Sequence, residues 1–254
     1  MLEINEIFGP TIQGEGKFVG SPSIFIRFGK CNFSCVGFGV EYETPSGIKK
    51  CACDSYYAVD KEFKDNWYKY ESHFDIINEV NKLLENFDYK YKIDIVITGG
   101  EPLLYWNKIE FQNLLRYYIE KNHKVTIETN GSLDINFKEE FQKKLIFSMS
   151  VKLSNSLEPL KKRVNKTTLT TVLQNSSESY LKFVIGDDFL TQAIDEINDI
   201  LKDIPKCDVY LMPLGDTAKQ IDNNSIKVIN LAIKYGFKYS DRLHIRVWNN
   251  KRGV

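Results

Sequence analysis

Ile93-Asp94-Ile95-Val96-Ile97-Thr98 is a short apolar run that leads into Gly99-Gly100, and it predicts a buried β-strand. The segments on either side of it, residues 72–86 and 108–122, carry apolar side chains at the three- and four-residue spacing of one helix face. Strands that alternate with helices of this length indicate βα units and a mostly parallel sheet. We therefore predict an α/β fold: a partial (incomplete) βα barrel with a mostly parallel sheet of about six strands, fewer than the eight of a full barrel.

The rest of the chain continues this alternation. Ser72 is a candidate N-cap for the first helix. Residues 30–70 differ, because they form a long irregular stretch rich in Gly, Lys, Asp and Tyr. We find no internal repeat, low-complexity tract or linker, so we predict one domain over residues 1–254 with an expanded loop at about 30–70. Further strands are predicted at 23–28, 125–128, 145–151, 180–185, 209–212 and 243–248, and further helices at 137–145, 188–203 and 217–235.

The charge balance and the N-terminal sequence limit the possible partners. Lys plus Arg and Asp plus Glu each total 34, so the formal net charge is zero. A nucleic-acid binder usually has a basic excess, and we therefore expect no nucleic acid as the main partner. Residues 1–6 lack the basic start and apolar run of a secretory signal, and no stretch approaches 18 uninterrupted apolar residues. We expect a cytoplasmic protein that does not span a membrane.

Four of the five cysteines lie within 23 residues, at Cys31, Cys35, Cys51 and Cys53. Clustered thiols in a chain without an export signal indicate metal binding, and thiolates select zinc, copper(I) or iron–sulfur clusters. Structural zinc sites often use two Cys-x2-Cys pairs, whereas here the gaps are three, fifteen and one residues. Four thiolates would still suffice for zinc. Three thiolates on a four-iron cluster would instead leave one iron open for a small molecule, which is a reactive arrangement.

Other candidate functional residues follow the ends of the predicted strands. These segments are Thr98-Gly99-Gly100-Glu101, Glu128-Thr129-Asn130 and Met212-Pro213. Ligands of parallel α/β folds bind at the carboxyl ends of the strands. Each motif alone is also explained by a tight turn, but their shared location and the nearby cysteines favour one functional site.

Together these motifs resemble the radical S-adenosylmethionine enzymes and, among them, the 7-carboxy-7-deazaguanine synthase family. The resemblance runs from residue 8 to the last residue. The chain departs from the common Cys-x3-Cys-x2-Cys pattern because 17 residues separate Cys35 from Cys53, which leaves Cys51 as a rival for the middle position. The segments that carry the resemblance are Ile12-Gln13-Gly14-Glu15-Gly16, Phe25-Ile26-Arg27-Phe28, Cys53-Asp54-Ser55, Thr98-Gly99-Gly100-Glu101-Pro102, Glu128-Thr129-Asn130-Gly131, Leu211-Met212-Pro213 and the tail at 243–254.

The resemblance implies a reaction, its cofactors and its partners. The reaction is the radical-mediated ring contraction of 6-carboxy-5,6,7,8-tetrahydropterin to 7-carboxy-7-deazaguanine with loss of ammonia, in queuosine-type 7-deazapurine biosynthesis. The cofactors are a [4Fe-4S] cluster, S-adenosyl-L-methionine and Mg²⁺. An unidentified electron donor and a homodimer are also implied. Two alternatives stay open: a radical activase that acts on a partner protein, and a zinc-stabilised interaction module without enzymatic activity.

The resemblance also assigns roles to individual residues and identifies no catalytic residue. Ser55, where the family usually has Thr, would bind Mg²⁺ through its hydroxyl. Arg27 would bind the substrate carboxylate with its guanidinium, and His244 would share that carboxylate. The cluster ligands would be Cys31, Cys35 and Cys53, the cofactor would contact Gly100, Glu101, Thr129, Asn130, Ser150 and Lys152, and the substrate would contact Ile12, Gln13, Glu15, Arg27 and His244.

Overall fold

The computed structural model of the chain describes residues 1–88, 90–176 and 178–254. Its described strands form a nine-stranded sheet and a separate two-stranded hairpin. The order across the large sheet is β11-β10-β9-β8-β7-β6-β2-β1-β5. The strands are β1 (Leu2–Ile12), β2 (Pro22–Phe28), β3 (Val40–Glu43), β4 (Lys49–Ala52), β5 (Tyr68–Tyr70), β6 (Asp94–Gly99), β7 (Val125–Thr129), β8 (Ile146–Ser150), β9 (Tyr180–Ile185), β10 (Asp208–Pro213) and β11 (Lys238–Tyr239).

The prediction of an α/β fold with a mostly parallel sheet is confirmed. In the large sheet the seven strands β11-β10-β9-β8-β7-β6-β2 pair in parallel, whereas β1 pairs antiparallel with β2 and β5. The predicted count of about six strands is wrong, because six predicted strands form the centre and three more lie at the edges. Gly9-Pro10 interrupts β1 and coincides with a shift in its register, while β5 and β11 are only three and two residues long. The conformation of such edge strands depends on their neighbours, so their sequences carry little periodic pattern that predicts a strand.

Helices flank the sheet, and the main predicted helices are present. Ser72 accepts a hydrogen bond from the backbone N–H of Phe74 and caps its helix as predicted. The predicted helix at 137–145 is a 3-10 helix over Glu140–Lys144. The α-helices are α1 (Tyr56–Val59), α2 (His73–Leu84), α3 (Ile109–Glu120), α4 (Leu160–Arg163), α5 (Lys166–Asn175), α6 (Leu190–Leu201), α7 (Ala218–Tyr235) and α8 (Leu243–Trp248).

The predicted final strand at 243–248 is wrong, because this segment is the helix α8. A strand would direct Leu243, Ile245 and Val247 to one face. In the structure Ile245 is buried and Val247 is 56% exposed, so the apolar alternation does not correspond to one buried face. The helix begins where the N–H of Leu243 donates to the carbonyl of Gly14 over 2.9 Å. This bond anchors the helix beside the N-terminal motif, Ile12–Gly16.

The stretch at 30–70 is more ordered than its composition indicates. The hairpin of β3 and β4 pairs Val40 with Ala52 and so brings the chain back towards its starting point after the excursion from Cys35. Cys53 follows this hairpin directly. The excursion therefore lengthens the expanded loop at about 30–70, the cluster loop, without separating Cys35 from Cys53 at its base.

A continuous apolar core packs on the central sheet. Phe28, Phe111 and Phe147 are completely buried within it, as are Ile197 on α6 and Val228 on α7. This core supports the strand ends that carry the polar motifs. Among the helices of the described chain, none combines the length and apolar character that crossing a membrane requires.

Candidate active site

A cavity of about 850 Å³ opens at the carboxyl ends of the parallel strands. Six adjacent strands, β2 and β6 to β10, contribute to its lining, which is the usual position of ligand sites in parallel α/β folds. Glu101 is the one predicted site residue outside this lining. The predicted residues that line it are Ile12, Gln13, Glu15, Arg27, Cys31, Cys35, Cys53, Ser55, Gly100, Thr129, Asn130, Ser150, Lys152 and His244.

Three of the clustered cysteines line the cavity. They are Cys31, Cys35 and Cys53, whereas Cys51 lies outside the lining and is exposed on β4. Cys35 is only 4% exposed. Burial raises the pKa of the Cys53 thiol to about 12, and it also raises the pKa values of Cys31 and Cys35. These thiols therefore stay protonated without a metal, and a metal would have to displace their protons on binding.

The arrangement of these thiols fits an iron–sulfur cluster better than a single ion. Within residues 1–88, 90–176 and 178–254, no group of three or more His, Cys, Asp or Glu side chains surrounds one metal position. A structural zinc ion requires four ligands around one point. The cysteines of a four-iron cluster each bind a different iron, so they stand farther apart. Cys31, Cys35 and Cys53 line one cavity without forming a single-ion group, which is compatible with the second requirement.

The glycine pair after β6 packs tightly against the cluster loop. A Cβ on Gly100 would lie 2.2 Å from the carbonyl oxygen of Lys30 and 2.9 Å from Cβ of Cys31. The N–H of Glu101 also donates to the Lys30 carbonyl over 2.8 Å. A side chain at position 100 would therefore push the cluster loop away from β6. The Gly99-Gly100 motif is explained by this close approach, which leaves backbone at the cavity surface.

The carboxylate of Glu101 is fully buried and lies outside the cavity lining, next to residues that do line it. It accepts hydrogen bonds from Oγ1 of Thr129 at 2.7 Å, from the N–H of Asn130 at 2.7 Å and from the N–H of Leu103 at 3.0 Å. These three donors leave acceptor capacity on Oε2, so a contact of this carboxylate with the cofactor's amino group stays a prediction. Burial raises the pKa of Glu101, and these donors oppose that rise. Its role in the structure is to position Thr129 and Asn130.

Polar side chains beside the thiols are held by one another. The Asn130 amide donates to Oδ1 of Asn32 over 2.8 Å, which ties the end of β7 to the cluster loop. The Lys152 ammonium donates to Oγ of Ser150 over 2.9 Å. The Lys152 charge also opposes the rise in the pKa of Cys35 that burial causes. This cation is thus near enough to the thiols to favour their ionised form.

Glu15 lies at the centre of a buried ionic network in the cavity lining. The Lys182 ammonium, whose side chain is 3% exposed, donates to Glu15 Oε2 over 2.8 Å. The Arg242 guanidinium donates to Glu15 Oε1 over 3.0 Å. Burial alone would raise the pKa of Glu15, but Lys182, Arg242 and then His244 outweigh it and lower the pKa well below its ordinary value. Glu15 is therefore a fixed anion at the cavity wall.

Gln13 and Glu128 extend this network towards the strand ends. The Gln13 amide donates to Glu128 Oε1 over 3.2 Å, and the Thr98 hydroxyl donates to Glu128 Oε2 over 2.8 Å. Lys182 lies 3.8 Å from the same carboxylate. Oε1 of Gln13 also accepts from the N–H of Glu15 at 3.1 Å, which shapes the backbone of the N-terminal motif. The network therefore links the ends of β6 and β7 to Gln13 and Glu15 within the cavity lining.

Arg27 lies on β2 between aromatic and acidic groups. Its Nε donates to Glu6 Oε1 over 2.7 Å, and its guanidinium carbon lies 5.7 Å from the Phe8 ring centre and 5.8 Å from that of Tyr57. Among the described residues, the hydrogen bonds of the Arg27 side chain use Nε only. The outer edge of the guanidinium is therefore available for a bidentate anion. Tyr57 belongs to the expanded loop, and the guanidinium of Arg252 lies 3.8 Å from its ring centre.

Ser55 and Asp54 contribute oxygen atoms to the cavity lining. The Ser55 hydroxyl donates to Asp54 Oδ1 over 3.3 Å, and Arg242 donates to Asp54 Oδ2 over 2.5 Å. Burial raises the pKa of Asp54, but Arg242 outweighs it and the pKa is lowered. His244 packs on the N-terminal motif, because a Cβ on Gly14 would lie 2.0 Å from its Nδ1. Burial lowers the pKa of His244, which favours the neutral imidazole.

Sequence reasoning missed several polar residues of this site. Lys182 carried a usable signal, because it is the single charged side chain in the apolar run Tyr180-Leu181-Lys182-Phe183-Val184-Ile185. Such a lysine is seldom buried without a partner. Arg242 carried no comparable signal, since its partners Glu15 and Asp54 lie far away in the sequence. Glu128, Asp54, Thr98 and the tail at 249–254 lie within motifs that the sequence singled out, but without a role for the individual residues, and Tyr57 also had none.

Comparisons with known proteins agree with this geometry. The model of the family described as a 4Fe-4S single cluster domain matches residues 12–177. The 7-carboxy-7-deazaguanine synthase of Halobacterium salinarum is 30% identical, over 98% of this chain and 91% of that protein. The enzyme of the same name from Rickettsia prowazekii is 32% identical, over 96% and 86%. In the crystal structure of QueE from Escherichia coli the fold is similar, with a TM-score of 0.61 and 22% identity over 96% of this chain and 94% of that one. The chain belongs to the 7-carboxy-7-deazaguanine synthase family of radical S-adenosylmethionine enzymes.

Proposed function

We propose that this chain converts 6-carboxy-5,6,7,8-tetrahydropterin to 7-carboxy-7-deazaguanine with loss of ammonia, in queuosine-type 7-deazapurine biosynthesis. The observation that carries the proposal is that one cavity joins three thiols to a wall of charged and amide groups. Radical chemistry requires its source and its substrate to lie in one enclosed space. Relatives that carry the synthase name match nearly the whole chain, including both walls.

The cofactor wall would hold a [4Fe-4S] cluster through Cys31, Cys35 and Cys53. When bound, the cluster and S-adenosyl-L-methionine supply the hydrogen-abstracting radical, and the protein supplies binding and orientation. The backbone at Gly100 offers an acceptor to the cofactor's ammonium group. Thr129 and Asn130, held from below by Glu101, and the Ser150–Lys152 pair would contact the rest of the cofactor.

The substrate wall would bind the pterin at two places, the ring edge and the carboxylate. Gln13 and the fixed anion Glu15 offer an acceptor and donors to the ring edge, and Ile12 contributes apolar contact. The outer edge of Arg27 would bind the carboxylate in a bidentate manner, and neutral His244 would donate one further hydrogen bond. Lys182 does not need to touch substrate in this scheme, because its ammonium already binds Glu15.

Magnesium would be held by few protein oxygens, since this ion retains waters and substrate oxygens. The Ser55 hydroxyl faces the cavity and is the predicted protein ligand. Asp54 is less suited to bind it directly, because its carboxylate already pairs with Arg242 at 2.5 Å.

Several broader predictions accompany this function. The sheet would curve as an incomplete barrel around the cavity, since six adjacent strands contribute to its lining. Residues 1–254 would act as one domain, because strands from both ends of the chain join one sheet. A homodimer, a cytoplasmic location and a separate electron donor stay predictions from the sequence.

Anaerobic reconstitution followed by a turnover assay tests the proposal. The full chain with iron, sulfide, S-adenosyl-L-methionine, Mg²⁺ and a chemical reductant should convert the carboxytetrahydropterin to the deazaguanine product. Cofactor cleavage with the pterin untouched would contradict the substrate and favour the activase alternative. Zinc in place of iron and sulfide would contradict the cluster. Cys51→Ala is the matched control, because Cys51 lies outside the cavity and should leave turnover unchanged.

A further inference from the structure

The carboxylate of Glu158 is buried directly behind the cluster loop. This residue is 7% exposed and follows the 3-10 helix Ser154–Ser156, which lies beyond the end of β8. Its Oε1 accepts from the N–H of Ser34 at 2.6 Å, from the hydroxyl of Ser34 at 3.0 Å and from the N–H of Cys35 at 3.0 Å. One carboxylate oxygen therefore gathers three donors from two successive residues of the loop.

The backbone that Glu158 holds is in an unfavourable conformation. Cys35 has φ +49° and ψ +44°, the left-handed region, which is unfavourable for a residue with a Cβ. A charged hydrogen bond to its N–H offsets that cost, because such bonds are stronger than bonds between neutral groups. Without this bond, Cys35 loses an interaction that stabilises the conformation in which its thiol lines the cavity.

The two loops are also interlocked by their backbones. A Cβ on Gly37 would lie 2.1 Å from the carbonyl oxygen of Asn155 and 2.8 Å from the carbonyl carbon of Ser156. Only glycine permits this approach. The loop after β8 thus contacts the cluster loop on both sides of Val36, through Glu158 at Cys35 and through the backbone at Gly37.

Glu158 is itself anchored from the solvent side. Its Oε2 accepts from the Lys162 ammonium at 2.8 Å, and that ammonium lies 5.1 Å from the ring centre of Phe33. The Lys162 side chain is 45% exposed, so this ion pair contributes little by itself. The buried oxygen that binds the loop is therefore separable by mutation from the exposed pair.

We propose that Glu158 is a positioning residue of the cluster: it fixes the backbone of Ser34 and Cys35 so that the Cys35 thiol is presented to iron. The proposal rests on the proposed function in one respect, since it takes Cys35 as a cluster ligand. Glu158 contacts no substrate and is not itself a ligand. Its effect is on how long the cluster is retained.

The first experiment compares Glu158→Ala, Glu158→Gln and Lys162→Met in the reconstituted full-length chain. Iron and sulfide content, electron paramagnetic resonance of the reduced cluster and the rate of iron loss to a chelator are measured. Glu158→Ala should lose iron on the order of tenfold faster than the parent, since it loses all three charged hydrogen bonds. Glu158→Gln should fall between them, because its amide oxygen still accepts from the two N–H groups. Lys162→Met should match the parent.

Two results would overturn the proposal. One is parental iron retention in both Glu158 variants. The other is equal loss in Lys162→Met and Glu158→Ala, which would assign the effect to the exposed ion pair. Neither result depends on pterin turnover, so a failed substrate assignment remains distinguishable from a failed role of Glu158.

A second experiment uses the cluster-free full chain and therefore needs no bound metal. Alkylation of individual cysteines is followed by peptide mass analysis. Cys51 is exposed and serves as the fast reference, while partly buried Cys207 reports general unfolding. Glu158→Ala should speed alkylation of Cys35 and leave Cys51 and Cys207 unchanged. An equal rise at Cys207 would show global destabilisation and contradict the positioning role.

Discussion

Lys182→Met removes the buried cation that binds Glu15 and is the sharpest test of the ionic network. The Lys182 side chain is 3% exposed, and its ammonium lies 2.8 Å from Glu15 and 3.8 Å from Glu128. Breaking a buried pair from one side costs about 3–5 kcal/mol, because the remaining charge stays buried. Glu15 keeps the bond from Arg242, so we expect the lower end, about 3 kcal/mol.

That loss corresponds to a fall in melting temperature of roughly 6–12 °C for a chain of this size. Thermal unfolding of the full chain at neutral pH measures it. Lys17→Met is the matched control, since its pair with Glu178 is longer, at 3.4 Å, and more exposed, at 30% and 49%. Exposed pairs contribute about 0–1 kcal/mol. A Lys182→Met melting temperature as close to the parent as that of Lys17→Met would refute the reasoning.

The same variant has a predicted pH signature. The folded-state pKa of Glu15 is lowered, so its contribution is present above the unfolded pKa and is lost as the pH falls through the lowered folded value. The folded-state pKa of Lys182 is raised, so its contribution is lost only at strongly alkaline pH. The stability difference between parent and variant should therefore be largest near neutral pH and shrink in acid. A difference that is constant down to pH 3 would show that lost packing, not charge, causes it.

Three further predictions concern the two walls of the cavity. Arg27→Ala should weaken pterin binding at least tenfold with an unchanged cluster spectrum, and Arg27→Lys should recover little because the planar fork is lost; equal affinity measured by equilibrium binding would remove Arg27 from the site. Ser55→Ala should raise the Mg²⁺ concentration needed for half-maximal turnover several-fold, whereas Ser55→Thr restores the family residue and should behave like the parent. Cys35→Ala should lose the cluster and all turnover while Cys51→Ala keeps both, as judged by iron content and electron paramagnetic resonance; the reverse pattern would assign the middle ligand to Cys51.

Much of the central sheet was predictable because its signal is local. The strands β2 and β6 to β10 are almost entirely buried and rich in apolar and β-branched residues, and apolar residues recur at helical spacing in the helices between them. The motifs at their carboxyl ends were expected at one edge for the same geometric reason. The edge strands and α8 were missed or wrong, because their conformation depends on contacts with distant segments, such as Leu243 with Gly14.

The sequence by itself determined the α/β class, the site at the strand ends and the family, because residue types and spacings carry them directly. The sequence named Cys35 as a cluster ligand with Cys51 as its rival, and the tertiary structure adds that the hairpin places Cys35 in the cavity lining and exposes Cys51. Only the tertiary structure surrounded the Glu101 carboxylate with donors from the end of β7 and placed Glu158 behind the cluster loop. The physical reason is that a buried carboxylate takes its role from the donors around it, and these donors come from segments 29 and 123 residues away in the chain.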